Sequence, residues 1–260
     1  MLGSGATPAV LLDIDGVLHV GDRAIDGAIE ALQELRRLSS GVRLVTNTTS
    51  RSRAQIVEQL HRLGFEVSVD EVLTPAALAV RHCREHGYRS VRLLVGDGLR
   101  EDLAELADAS GEAPVQAIVL GDLGEGFTAT VLNDAFRLLM DGAELIALQH
   151  NRYWHRGDGL ALDVGAYSAA LEYASGREAV VVGKPAREFF TSALAELNSD
   201  AESTLMVGDD VEADVGGALA AGLGGILVRT GKYRKDALDA SGVTPTAIVD
   251  SIAAVPGLLR

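Results

Sequence analysis

Short β-branched apolar runs alternate with longer segments of helical periodicity along almost the whole chain, and this alternation most constrains what it can fold into. The runs predict strands near residues 9–14, 41–46, 91–96, 115–121, 143–149, 179–183, 204–208 and 225–229. Between them, "DGAIEALQELRRLSS", "RSRAQIVEQLHRLG", "TATVLNDAFRLLMDG" and "AREFFTSALAELNSD" place apolar residues at helical spacing. Strands alternating with helices predict an α/β protein with largely parallel sheets. With 260 residues, 47% of them hydrophobic, the chain has material for one large domain or two modest ones.

Several of the runs end in a polar signature: "DIDG" at 13–16, "TNTTS" at 46–50, "VGDG" at 95–98, "LGD" at 120–122, "GKP" at 183–185 and "VGDD" at 207–210. In open parallel sheets ligands bind outside the carboxyl ends of the strands, so functional residues are expected among these signatures. No Pro- or Ser-rich linker marks a boundary. A second domain is therefore expected as an insertion, with joints near Leu73–Ala76 and Ser175–Glu178.

Asp13 and Asp15 stand two positions apart, which on a strand puts both side chains on one side, about 6 to 7 Å apart. Two like charges that close call for a cation, and oxygen donors of this kind suit Mg2+. The competing reading is a turn at Asp15–Gly16 with Asp13 capping a helix. "TNTTS" offers hydroxyls and backbone N–H groups ahead of a helix, an anion cradle, although Ser and Thr are equally the preferred helix caps. Lys184 follows the apolar "AVVVG" and precedes Pro185, which can start a helix at its first turn. It could pair with the carboxylates, at about 4 kcal/mol for charges 4 Å apart at an effective dielectric of 20, and offer a point charge to phosphate; the alternative is a solvated loop lysine. Asp209, Asp210 and Asp214 are metal-ligand candidates or helix caps, and Asp97 and Asp122 share the same Gly-Asp context.

Taken together, DxDG, then a Thr at a strand end, then Lys before Pro, then GDD with an Asp four residues on, resemble the four motifs of the haloacid dehalogenase (HAD) superfamily. The likeness spans nearly the whole chain. Within that superfamily the sequence is similar to phosphatases with a large α/β cap, of the N-acetylglucosamine-6-phosphate phosphatase (NagD) and 4-nitrophenylphosphatase type. The wording of residues 159–234, together with "NDAFRLLMDGAELIAL", is similar to the subgroup of HAD hydrolase domain-containing protein 2 and phospholysine phosphohistidine inorganic pyrophosphate phosphatase.

The resemblance implies a Rossmann-like core with a parallel sheet, residues 1–74 and 177–260, and an inserted α/β cap, residues 75–176. It implies Asp13 as nucleophile and Asp15 as general acid and then base. Mg2+ would be held by Asp13, the Asp15 backbone carbonyl and Asp209. Phosphate would be held by Thr46, the Asn47 backbone and Lys184, with Asp210, Asp214 and Gly16 in support. Asp97 and Asp122 then fall in the cap as helix-start or loop residues. The cap segment "HNRYWHRGDG" would cover the site, with Tyr153, Trp154 and His155 as specificity candidates or, in the competing reading, ordinary core or surface residues. A homodimer is also implied.

Composition narrows the partners. A net charge of −14 disfavours nucleic acid and anionic membrane as main partners, yet is compatible with a small phosphorylated substrate where a metal neutralises the site. Neither a secretory signal nor a membrane span is legible, so a cytoplasmic location is expected. Cys83 is the only cysteine, which excludes an intrachain disulfide. The expected function is a Mg2+-dependent phosphatase. The alternatives are a non-catalytic binding or regulatory protein of the same fold, or a transferase that passes the phosphoryl group to an acceptor other than water. A receiver domain is disfavoured because the lysine precedes the last acidic cluster and the chain is too long.

Overall fold

The computed structural model of the chain describes residues 7–106, 114–156 and 159–260. It contains two compact units, one formed by Met1–Thr46, Ala54–Leu73 and Lys184–Arg260, the other by Asn47–Arg53 and Thr74–Gly183.

The first unit is built on a six-stranded, fully parallel sheet in the order Ala247–Val249, Gly224–Val228, Thr204–Gly208, Ala9–Asp13, Gly41–Val45, Val72–Leu73. All five residues of Ala9–Asp13 are buried, as its continuous apolar run requires of a strand covered on both faces. The strands that follow it directly in sequence lie on one side, and those after residue 200 lie on the other. The strand order thus reverses at Ala9–Asp13, and its carboxyl end is where a crevice opens in sheets of this kind.

One face of this sheet presents Val10, Leu12, Leu205, Val207, Ile226 and Val228. The helix Ala28–Leu38 covers it with Ala28, Ala31, Leu32 and Leu35, and the helix Arg53–Arg62 with Ile56, Val57 and Leu60. The first set stands at i, i+3, i+4 and i+7 and the second at i, i+1 and i+4, each a single helical stripe, which is why both segments are helices here. The opposite face receives the helix Arg187–Leu197, which packs on Gly41–Val45 and on the short helix Gly217–Ala220, with Phe189, Phe190 and Ala193 buried.

The second unit holds a four-stranded parallel sheet in the order Val180–Val181, Glu144–Ala147, Ala117–Leu120, Val91–Leu94. Its main helices are Pro75–Glu85, Ala129–Met140 and Val164–Ser175. Thr74 and Thr128 start the first two by accepting the N–H groups of Ala77 and Val131. Its core gathers Leu94, Ile118, Leu120, Ala135, Leu139, Leu145 and Leu171. An antiparallel hairpin, Tyr153–Arg156 with Gly159–Leu162, completes it. No helix among the described residues is long and apolar enough to cross a membrane.

Two local expectations need correction. Residues 177–183 were expected with the catalytic core, yet Val180 and Val181 pair in parallel with Ile146 and Ala147 of the second sheet. Pro185 was expected within the first turn of a helix, whereas the helix begins at Arg187 after an extended Ala186.

Candidate active site

Asp13 is the last residue of the central strand, and its side chain is buried at the carboxyl edge of the sheet. Lys184 Nζ lies 2.5 Å from Asp13 Oδ1 and 2.7 Å from Asp214 Oδ1. Relative exposures are 6% for Asp13, 2% for Lys184, 2% for Asp209 and 1% for Asp214. Four ionisable groups removed from water persist only when paired. Here one ammonium faces three carboxylates.

Local structure explains how the acids converge. The strand Thr204–Gly208 lies beside Ala9–Asp13 and ends next to Asp209. The chain then enters a π-helical turn, Val211–Gly216, with the Val215 N–H donating to the Asp210 carbonyl. Such turns recur at functional sites because they displace one side chain from the regular helical path. Asp210 caps the turn by accepting the N–H groups of Glu212 and Ala213. Its own N–H donates to Asp214 Oδ2 at 3.1 Å. Both oxygens of Asp214 are therefore committed, one to Lys184 and one to Asp210. Gly208 makes room for this approach, since a Cβ there would overlap the Asp214 carboxylate.

Burial pushes the Asp13 carboxyl well above its ordinary range, the Asp214 charge adds to this, and Lys184 opposes it. The Asp209 carboxyl is pushed up to about 7, by burial first and by Asp214 second. Lys184 is desolvated by burial, but Asp13 and Asp214 hold it firmly charged, with its pKa above that of an ordinary lysine. Oxygens of Asp13, Asp209 and Asp214 lie within 4.8 Å of one another, and with Asp214 committed to Lys184 and Asp210, Asp13 and Asp209 are the ones turned to a ligand. That spread is close to the ~4 Å between opposite ligands of a Mg2+ ion, whose preference is for a few carboxylate oxygens. The residues fit a hard divalent cation, because one lysine leaves the cluster with surplus negative charge.

Asp15 is set apart from the cluster. Its carboxylate is about half exposed and lies 3.7 Å from Nε2 of the buried His19. The His19 Nδ1 contacts the Gly21 carbonyl at 2.9 Å, a contact in which only the ring nitrogen can donate. Gly16, at φ +88°, turns the chain away directly over Asp209 Oδ2, where a Cβ would collide. Thr46 is buried at the end of the neighbouring strand. Asn47 belongs to the second unit.

The remaining sequence candidates separate cleanly. Asp97 is fully exposed and pairs with Arg100, and Asp122 accepts the Gly124 N–H in its own loop. Tyr153 is exposed on the hairpin, and the side chains of Trp154 and His155 lie outside the described residues. Cys83 is buried, its thiol pushed up to about 11 by burial and by Glu144, which leaves it unreactive. Sequence reasoning did not single out His19 or the turn Thr230–Lys232. The turn lies within the stretch that carries the subgroup resemblance, but the one residue there that marks a special backbone is a glycine three residues after an apolar strand.

Comparison with known proteins agrees with this geometry. Residues 10–107 match the family described as haloacid dehalogenase-like hydrolase, and residues 181–255 match one described as HAD-hydrolase-like. Haloacid dehalogenase-like hydrolase domain-containing protein 2 of Bos taurus is 45% identical over 92% of this chain and 90% of its own length. The human phospholysine phosphohistidine inorganic pyrophosphate phosphatase is 43% identical over 96% of this chain and 93% of its own. Among solved structures, the p-nitrophenyl phosphatase from Archaeoglobus fulgidus superposes with a TM-score of 0.89 at 28% identity, covering 98% of this chain and all of that one. Fold, strand-end chemistry and sequence together show that the chain belongs to the haloacid dehalogenase-like hydrolases, as a capped α/β enzyme of their phosphatase branch.

Proposed function

We propose that the protein is a Mg2+-dependent phosphatase that acts on a small phosphorylated substrate through an aspartyl-phosphate on Asp13. The observation that carries this reading is the buried Asp13 carboxylate at the strand-order reversal, held 2.5 Å from Lys184 in a cluster with more negative than positive charge.

In the first step an Asp13 oxygen attacks phosphorus and the bond to the leaving oxygen breaks, while Asp15 gives that oxygen its proton. In the second, water attacks the aspartyl-phosphate, Asp15 takes the proton, and Asp13 and inorganic phosphate are released. The half-exposed position of Asp15 suits a group that exchanges protons with substrate and water. Lys184 opposes the rise that burial and Asp214 impose on the Asp13 carboxyl, and places positive charge where phosphate oxygens would sit. Asp214 holds Lys184 at that point, and Asp210 holds Asp214. Thr46, buried at the end of the neighbouring strand, would complete the phosphate cradle. Mg2+, held by Asp13, the Asp15 carbonyl and Asp209, would supply the charge that offsets repulsion between nucleophile and phosphate.

The test is acid quenching of protein mixed with a 32P-labelled phosphate ester. Label should remain on the chain in Mg2+, and be absent with EDTA or in Asp13→Asn. Turnover with no trapped label, and unchanged in EDTA, would remove both the covalent intermediate and the metal. A panel of sugar phosphates, nucleotides, phosphoamino acids and pyrophosphate, with Asp13→Asn as blank, would name the substrate.

A further inference from the structure

The turn that follows the strand Gly224–Val228 touches both sides of the site at once. Thr230 Oγ1 donates to the Gly16 carbonyl at 2.5 Å, across 214 residues of sequence. Two residues on, the Lys232 N–H donates to Asp209 Oδ2 at 2.6 Å. Between them Gly231 adopts φ +58°, and a Cβ on it would overlap Asp209 Oδ2 and stand 2.6 Å from the Gly16 Cα. The turn is closed by the Tyr233 N–H bonding to the Thr230 carbonyl and anchored by the Arg229 N–H on the Val249 carbonyl.

Asp209 Oδ2 is therefore enclosed by two glycine Cα positions, Gly16 and Gly231, and by one N–H donor. Among the described residues no hydrogen bond reaches Asp209 Oδ1, so the turn commits one oxygen and leaves the other for a ligand. The Lys232 side chain is mostly exposed and turns to Asp210 instead, with Nζ 3.5 Å from Asp210 Oδ2, so the contact to Asp209 is made by the backbone.

We propose that Thr230–Gly231–Lys232 is a positioning clamp: it orients Asp209 through a backbone N–H and a Cβ-free contact, and fixes the Asp15–Gly16 loop through the Thr230 hydroxyl. The proposal rests on the phosphatase reading and assigns it residues outside the four motifs. Outer partners of this kind typically change metal affinity or activity about 10- to 100-fold when removed.

The experiment uses the full chain, MgCl2 and 4-nitrophenyl phosphate. The Mg2+ midpoint is read from thermal denaturation over a MgCl2 titration, without substrate. Gly231→Ala should raise that midpoint by at least about tenfold. Thr230→Val, which keeps the shape and removes the donor, should lower kcat about tenfold with KM changed less than about twofold. Thr230→Ser should restore kcat. Thr230→Val with wild-type kcat, or Thr230→Ser as impaired as Thr230→Val, would overturn the loop half. Folded Gly231→Ala with a wild-type midpoint would overturn the metal half. If Gly231→Ala does not fold, Lys232→Ala, which keeps the N–H, against Lys232→Pro, which removes it, decides the metal half: equal midpoints overturn it. Wild-type protein indifferent to Mg2+ and inert toward every phosphate ester would instead sink the phosphatase reading.

Discussion

Each of the two parallel sheets carries the sequence Val-Gly-Asp at a strand end, at residues 95–97 and 207–209, and the two aspartates meet opposite surroundings. Asp97 stands fully in water beside Arg100. Asp209 is buried, held by a backbone N–H, and has its carboxyl pushed up to about 7 by burial and by Asp214. The tripeptide is the same, so it does not make the site. What differs is the neighbouring strand: beside Asp209 runs a strand that ends in another buried carboxylate, whereas beside Asp97 runs one that ends in Gly121 and a loop. What sets Asp209 apart is the convergence of two strand ends that both carry buried carboxylates.

The contrast is tested most severely by neutralising one acid in each sheet. Asp13→Asn should lower turnover by about 10^4-fold, a loss on the scale of removing a covalent nucleophile. Its folded state should persist in EDTA, because the substitution removes charge from a cluster that has too much of it. Steady-state phosphate release and circular dichroism check both halves. Near-normal turnover would show that the buried cluster is structural.

A second contrast removes the cation from each sheet. Lys184→Met leaves Asp13 and Asp214 buried without their partner and should cost about 3–5 kcal/mol near neutral pH. The cost should shrink in acid, where Asp13, its carboxyl already pushed up by burial, takes up a proton. Arg100→Met breaks an exposed pair and should cost less than about 1 kcal/mol at any pH. Urea unfolding at two pH values separates the cases, and equal effects would erase the distinction drawn between the sheets.

Much of this is legible in the sequence, and the reasons are physical. The central strand was readable because a strand buried on both faces needs an unbroken apolar run, and "AVLLD" has one. The helices Ala28–Leu38 and Arg187–Leu197 were readable from their apolar stripes. The strands Val72–Leu73 and Ala247–Val249 were not, because two or three residues cannot display a period. The hairpin strands Tyr153–Arg156 and Gly159–Leu162 were not read as strands either, since four residues barely display a period. At the site, acids and lysine announced themselves by type and position. The Thr230–Lys232 turn did not, because it works through a backbone N–H and a missing Cβ, which leave only a glycine in the sequence.

Proton binding offers a gentler probe of the same asymmetry. A carboxyl whose folded pKa is raised stabilises the fold fully below its ordinary value of 3.8, and loses that contribution as pH rises through about 7. In EDTA the melting temperature should therefore fall as pH is raised across that window. Mg2+ needs ionised carboxylates, so its stabilising effect should grow over the same range. Asp209→Asn should flatten both trends. A melting temperature in EDTA that rises between about pH 6 and 8 would show that Asp209 is already ionised in the metal-free fold.

The smallest expected effect carries the other half of the comparison. Asp97→Asn trades one exposed turn residue for another, and Asp122→Asn keeps an oxygen that can still accept the Gly124 N–H. Each should change stability by no more than about 0.5 kcal/mol, the usual range for surface positions. Mg2+ midpoints should match wild type, because neither carboxylate joins the cluster of Asp13, Asp209 and Asp214. The measurement is the thermal MgCl2 titration, with kcat and KM on 4-nitrophenyl phosphate beside it. A shifted midpoint in Asp97→Asn would mean that the exposed Val-Gly-Asp reaches the metal after all, and that burial is not what separates the two sheets. A raised KM with an unchanged midpoint in Asp122→Asn would instead identify the second sheet's strand ends as substrate contacts, and would leave the division of charge chemistry between the sheets intact.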